Sequence, residues 1–142
     1  MIVHKTVTVA RPADVAFKIF AEEMTQWWPL DKYSFLGPEA TLTIEPRAGG
    51  RFYETAPDGR EYVIGDVLRY EPGVRLTFTW AHMEGKGVTE IDIRFTAEGN
   101  VTRVDVAHSG FEKLADGEQM AEQYRGGWPA VLDAFVRYAD AR

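Results

Sequence analysis

The sequence predicts an α+β domain in which seven antiparallel strands are covered by one long C-terminal helix. Three observations carry that prediction. From Thr41 to Ser109 apolar and polar residues alternate in six consecutive runs, the period of strands with one covered face. The runs are joined by connections only a few residues long, so neighbours pair antiparallel. After Asp116-Gly117, Met120, Tyr124, Trp128, Val131, Leu132, Phe135, Val136 and Tyr138 form an apolar stripe at helical spacing to the chain's end.

Taken in order, residues 2–10 (IVHKTVTVA) place Val3, Val7 and Val9 at period two and read as a first edge strand. Pro12 suits a first helical turn, and Val15, Ala16, Ile19 and Phe20 then recur at helical spacing to about Ala21. Met24, Trp27 and Trp28 add one further helical turn, which Pro29 closes because proline disfavours helix in the residue before it. Residues 29–40 read as loop.

The six later strands are ATLTIEP, GRFYETA, REYVIGDVLRY, VRLTFTWAH, VTEIDIRFTAE and VTRVDVAHS, separated by turn residues such as Pro57-Asp58-Gly59 and Gly99-Asn100. Leu76, Phe78, Trp80 and His82 share one face, as do Thr89, Ile91, Ile93 and Phe95, and Val104, Val106 and His108. The opposite faces carry Thr77, Thr79, Glu90, Asp92, Arg94, Arg103 and Asp105. In the REYVIGDVLRY run the alternation is ambiguous: if Tyr62 and Ile64 point inward so does Asp66, and if Val63 and Val67 do, it does not. Glu54 is open in the same way. Gly126, Gly127 and Pro129 should weaken or kink the last helix, and Gly127 could bring it close to the sheet.

At 142 residues the chain fits one domain, residues 1–142, with a sizeable core. The start alternates instead of showing a basic end and an apolar block, so it reads as a strand and not a signal. No run approaches a membrane span. The absence of cysteine removes disulfides, thiolate nucleophiles and thiolate metal sites, and fits a cytoplasmic setting. A net charge of -6 with scattered basic residues argues against nucleic acid as partner, since such binding draws on Lys and Arg meeting phosphate. Neither membrane nor nucleic acid is therefore an expected partner.

Several segments together resemble a known family: WWP at 27–29, AGGRFYE at 48–54, DGREYVIGDVLRYEPGVRLTFTW at 58–80, HSGF at 108–111 and GGWPAVL at 126–132. They look like the family named for the activator of heat-shock protein 90 ATPase, in the START-like (SRPBCC) superfamily of helix-grip folds. The resemblance implies a curved sheet wrapped around the long helix, with two short helices between strands one and two and a ligand cavity opening near them. The eukaryotic activator carries a separate N-terminal domain with an NxNNWHW motif; this sequence holds neither, so stimulation of the chaperone's ATPase is not expected of it.

The implied function is non-catalytic binding of a small hydrophobic or aromatic molecule, in a mainly apolar space of roughly 300 to 1,000 Å³. Candidate ligand-binding residues are Trp27, Trp28, Phe52, Trp80, His108, Phe111, Tyr124 and Trp128, with Phe35 in the same aromatic group. The lining is expected to include Trp80, His108 and Trp128. The alternatives are a chaperone-associated interaction domain and a cyclase- or hydratase-type enzyme. No catalytic set, cofactor motif or metal-ligand spacing is present: Ser34 and Ser109 stand in no nucleophile setting, Glu22 and Glu23 diverge on a helix, and His4 is isolated. His82 and His108 would lie about 10 Å apart at ordinary strand spacing, too far to share a metal.

Overall fold

The structure is a computed structural model that describes residues 1–81 and 87–142. The elements are β1 (Val3–Val9), α1 (Ala13–Glu22), α2 (Met24–Trp27), β2 (Thr41–Ile44), β3 (Arg51–Thr55), β4 (Glu61–Glu71), β5 (Arg75–Ala81), β6 (Val88–Glu98), β7 (Val101–Ser109), a short 3-10 turn (Phe111–Lys113) and α3 (Gly117–Ala141). The strands form one seven-stranded antiparallel sheet in the order β1-β7-β6-β5-β4-β3-β2. Short connections make β2 to β7 a meander, and β1 closes onto β7. This is the helix-grip arrangement, with α3 lying in the concave face. His82 and the Glu84–Lys86 connection lie outside the described residues.

The alternation seen in the sequence becomes burial. Leu76, Phe78, Ile91, Ile93, Val104 and Val106 are all at most 2% exposed, while the opposite face carries ion pairs such as Arg75 to Asp92 at 2.8 Å. Burial alone would raise the Asp92 carboxyl, but hydrogen bonds from Arg75, Thr77 and Arg94 outweigh it and hold that group below the usual carboxylate range. Both sheet edges are covered. On β2, the Thr25 hydroxyl accepts from Leu42 N at 2.8 Å and reaches Leu42 O at 3.1 Å, so α2 takes the place of a strand partner. On β1, Ala10 N donates to Asp140 at 2.8 Å and Arg11 reaches the carbonyls of Asp140 and Arg142.

β4 resolves the ambiguity of its sequence by satisfying both patterns in turn. Its register shifts between Phe52/Tyr53 on the β3 side and between Val67 and Arg69 on the β5 side. Each irregularity reverses which face a residue takes. Ile64 and Val67 are therefore both buried, and Asp66 and Val63 are exposed. Gly65 sits at the crossover, where an added Cβ would lie 1.8 Å from Thr79 O. Only glycine lets the two backbones come that close.

α3 runs unbroken through Gly126, Gly127 and Pro129. Pro129 and Arg125 are both exposed, so the carbonyl that loses its helical partner faces water. An added Cβ on Gly127 would meet the Tyr33 ring and hydroxyl at 3.7 to 3.9 Å, so this glycine faces the loop and not the sheet.

Candidate functional site

The inner space divides into two regions. Toward the C-terminal end of α3, Phe20 packs edge-on to Phe135 with centroids 5.1 Å apart, and Phe17 lies 5.2 Å from Phe95. Trp27 joins this region, 4.9 Å from Phe20 and 5.0 Å from Phe135, with its indole N–H donating to Ile19 O at 3.0 Å. Here the rings fill the space.

Toward the N-terminal half of α3 they do not. A half-open cavity of about 280 Å³, just under the expected range, lies between sheet, helix and the loop after α2. Its walls are Trp28 and Phe35 from the loop side, Trp80 and Ile91 from the sheet, and Tyr124, Trp128 and Val131 from the helix. Trp28 stands 5.9 Å from Trp80 and is perpendicular to Trp128 at 6.4 Å. The rim adds Lys32, Tyr33, Ser34 and Gln123. Among the described residues, no carboxylate or histidine lines it.

Four of the sequence candidates thus converge on the cavity: Trp28, Trp80, Tyr124 and Trp128. The other four stand elsewhere. Trp27 lies in the filled region, Phe52 packs behind Trp80 at 5.9 Å, and Phe111 lies behind His108 at 4.6 Å. His108, expected in the lining, is 0% exposed and not part of it.

Both ring nitrogens of His108 bond to protein groups. The Trp128 indole can only donate, so its 3.1 Å contact makes Nδ1 the acceptor. The ring proton is then on Nε2 and donates to Thr89 Oγ1 at 2.7 Å, and the Thr89 hydroxyl points to Trp80 O at 3.4 Å. A buried chain of polar groups so ties the helix wall at Trp128 to the sheet wall at Trp80. Tyr124 packs over the same ring at 4.7 Å. Burial pushes its hydroxyl up to about 12, against a hydrogen bond from Trp80 that acts the other way, so it stays protonated at neutral pH.

Glu54 turns inward but serves the loop. The residue is 1% exposed, and its carboxyl group receives the Ser34 hydroxyl at 2.8 Å, Phe35 N at 3.0 Å and Leu36 N at 3.0 Å. Ser34 Oγ in turn accepts from Gly37 N at 2.8 Å. These bonds hold Phe35 stacked on Tyr62, at 4.3 Å and 10° between planes. Lys32, Tyr33 and Gln123 escaped the sequence reading because a loop has no period and an exposed helix position has no pattern. The Tyr33-Ser34-Phe35 run, two aromatics close together in the loop, was the available signal.

The comparisons agree with this architecture. A family model described as Activator of Hsp90 ATPase homolog 1-like protein matches residues 10–140. Protein MLL2253 from Mesorhizobium loti has a TM-score of 0.74 at 19% identity, over 96% of this chain and 95% of that one. CalU16 from Micromonospora echinospora gives 0.69 at 25% identity, over 98% and 75%. An anthrahydroquino-γ-pyrone synthase, Txn09, solved as a complex, gives 0.62 at 29% identity, over 99% and 96%. No curated protein matches.

Proposed function

The chain belongs to the Activator of Hsp90 ATPase homolog 1-like family, and from that premise we propose that it holds a small apolar or aromatic molecule between sheet and C-terminal helix. The supporting observation is the cavity walled by Trp28, Phe35, Trp80, Tyr124 and Trp128. Unfilled space among packed aromatics loses contact energy on every wall, so a void in a domain that elsewhere packs its rings within about 5 Å favours a guest. The Tyr124 hydroxyl and the rim groups would orient it.

Binding without turnover is the reading that the lining favours, because acid–base chemistry needs a group of suitable pKa within reach of the reacting atoms. Among the described residues, the ionisable groups on the wall are Lys32, Tyr33 and Tyr124, and Tyr124 is far from neutral pH. The likeness to Txn09, named as a synthase, supports a second reading as a catalyst acting on a fused-ring substrate. A chaperone-associated role rests on the family's description alone.

Native mass spectrometry of the protein purified from its own host tests the proposal. A retained small molecule is the expected result. Its recovery in altered form would favour the catalyst, and saturable chaperone capture with an empty cavity would overturn the binding reading.

A further inference from the structure

Resting on the reading of the cavity as a ligand site, we infer that the ligand is a small fused-ring aromatic acid, whose anionic group meets Lys32 and Gln123 at the cavity mouth. The walls supply ring faces and almost nothing that could solvate a charge, so an ionised group cannot lie deep in the space. Lys32 is the one residue of the described lining that carries a full charge at neutral pH. No carboxylate of the described lining opposes it, although the chain as a whole carries -6.

Like the other described lysines, Lys32 stays outside the ion pairs that the arginines form. Arginines on the sheet and helices pair with carboxylates, among them Arg51 with Glu61, Arg75 with Asp92, Arg103 with Asp105 and Arg142 with Glu23. The Lys32 ammonium has no ion pair and the Gln123 amide no hydrogen bond within the described residues. Lys5, Lys18 and Lys113 do not line this cavity. Two exposed donors of the lining, one from the loop and one from α3, suit a carboxylate or phenolate that remains half in water. The fused rings then lie against Trp28, Trp80 and Trp128, and the cavity of about 280 Å³ limits them to a small ring system.

Titration calorimetry at low salt with naphthalene-2-carboxylate and naphthalene-2-carboxamide, equal in shape and different in charge, tests this. The carboxylate should bind more tightly. Lys32→Gln should weaken it about two- to five-fold, the range of an exposed ion pair, and leave the carboxamide unchanged. Lys32→Glu should extend that loss, and added salt should shrink the difference between the probes. Lys32 is exposed, so neither variant threatens the fold. Equal binding of the two probes, or equal loss of both on substitution, overturns the inference while the cavity reading stands. Failure of both probes and of uncharged naphthalene overturns the cavity reading itself.

Discussion

The two halves of α3 cover the same sheet in different ways. Over residues 131–139 the helix inserts Leu132, Phe135 and Ala139, each at most 1% exposed, into a space that Phe20 and Trp27 fill from the other side. Over residues 123–128 it presents Tyr124 and Trp128 to a cavity, through a segment that contains two adjacent glycines and is followed by Pro129. In the first half those three side chains are apolar and meet apolar partners, with a polar contact at the margin, from the Tyr138 hydroxyl to Glu23 at 2.7 Å. The second half is fixed by directional bonds, from Trp128 to His108 and onward to Thr89. Walls around a void must be held by something other than the contents, and hydrogen bonds supply that positioning.

The contrast can be broken most directly by truncating one ring from each half. Phe135→Ala and Trp128→Ala should each cost about 3 to 5 kcal/mol in urea denaturation. Aromatic probes should bind the folded Phe135→Ala protein normally and the Trp128→Ala protein weakly. A cost under about 1 kcal/mol for Trp128→Ala would make it a surface residue in effect and remove the distinction.

His108→Phe sharpens the same contrast at smaller amplitude. It preserves ring volume but leaves the Trp128 N–H without its acceptor and removes the ring N–H that donates to Thr89. The expected loss is about 1 to 3 kcal/mol, the cost of stranding buried polar groups. A neutral outcome in thermal unfolding would show that packing alone holds the cavity walls.

Alkaline titration probes the cavity half through Tyr124. The Tyr124 hydroxyl is raised in the folded state to about 12, so the unfolded chain ionises first. Its contribution to stability is complete below about pH 10 and is lost as pH rises toward 12. Tyr124→Phe should flatten that decline, measured by circular dichroism. An unchanged slope would place the tyrosine in water.

The smallest effect is expected at Gly126, where an added Cβ meets nothing within 4 Å. Gly126→Ala should stabilise the helix by up to about 1 kcal/mol through helix propensity. A loss of stability would mean that the segment needs the freedom of glycine.

Much of the fold was legible because it depends on periods. β5, β6 and β7 announce their faces residue by residue, and α3 announces its stripe. β4 was not legible: each of its irregularities comes from where β3 and β5 pair with it, which no pattern within the strand records. The site divided along a similar line. Trp28, Trp80, Tyr124 and Trp128 were found because a resemblance named three walls and each wall offered a large ring. His108 was placed on the right face, but whether an inward residue lines a void or stands behind it depends on its neighbours. Trp128 and Tyr124 come between. Glu54 was open for the same reason, because its partners Ser34, Phe35 and Leu36 belong to a loop some twenty residues away in the chain.

That carboxylate also bears on time. Phe35 forms part of the cavity wall, and the segment that carries it is tied to Glu54 by bonds from three successive residues. Those bonds converge on one buried carboxylate, so swinging the segment aside as a body has to break all three. The Phe35 and Leu36 amides should therefore resist hydrogen exchange far longer than loop amides usually do. A guest would then come and go past the rim at Lys32 and Gln123 while the wall stays shut, and its residence would be set by the width of that passage.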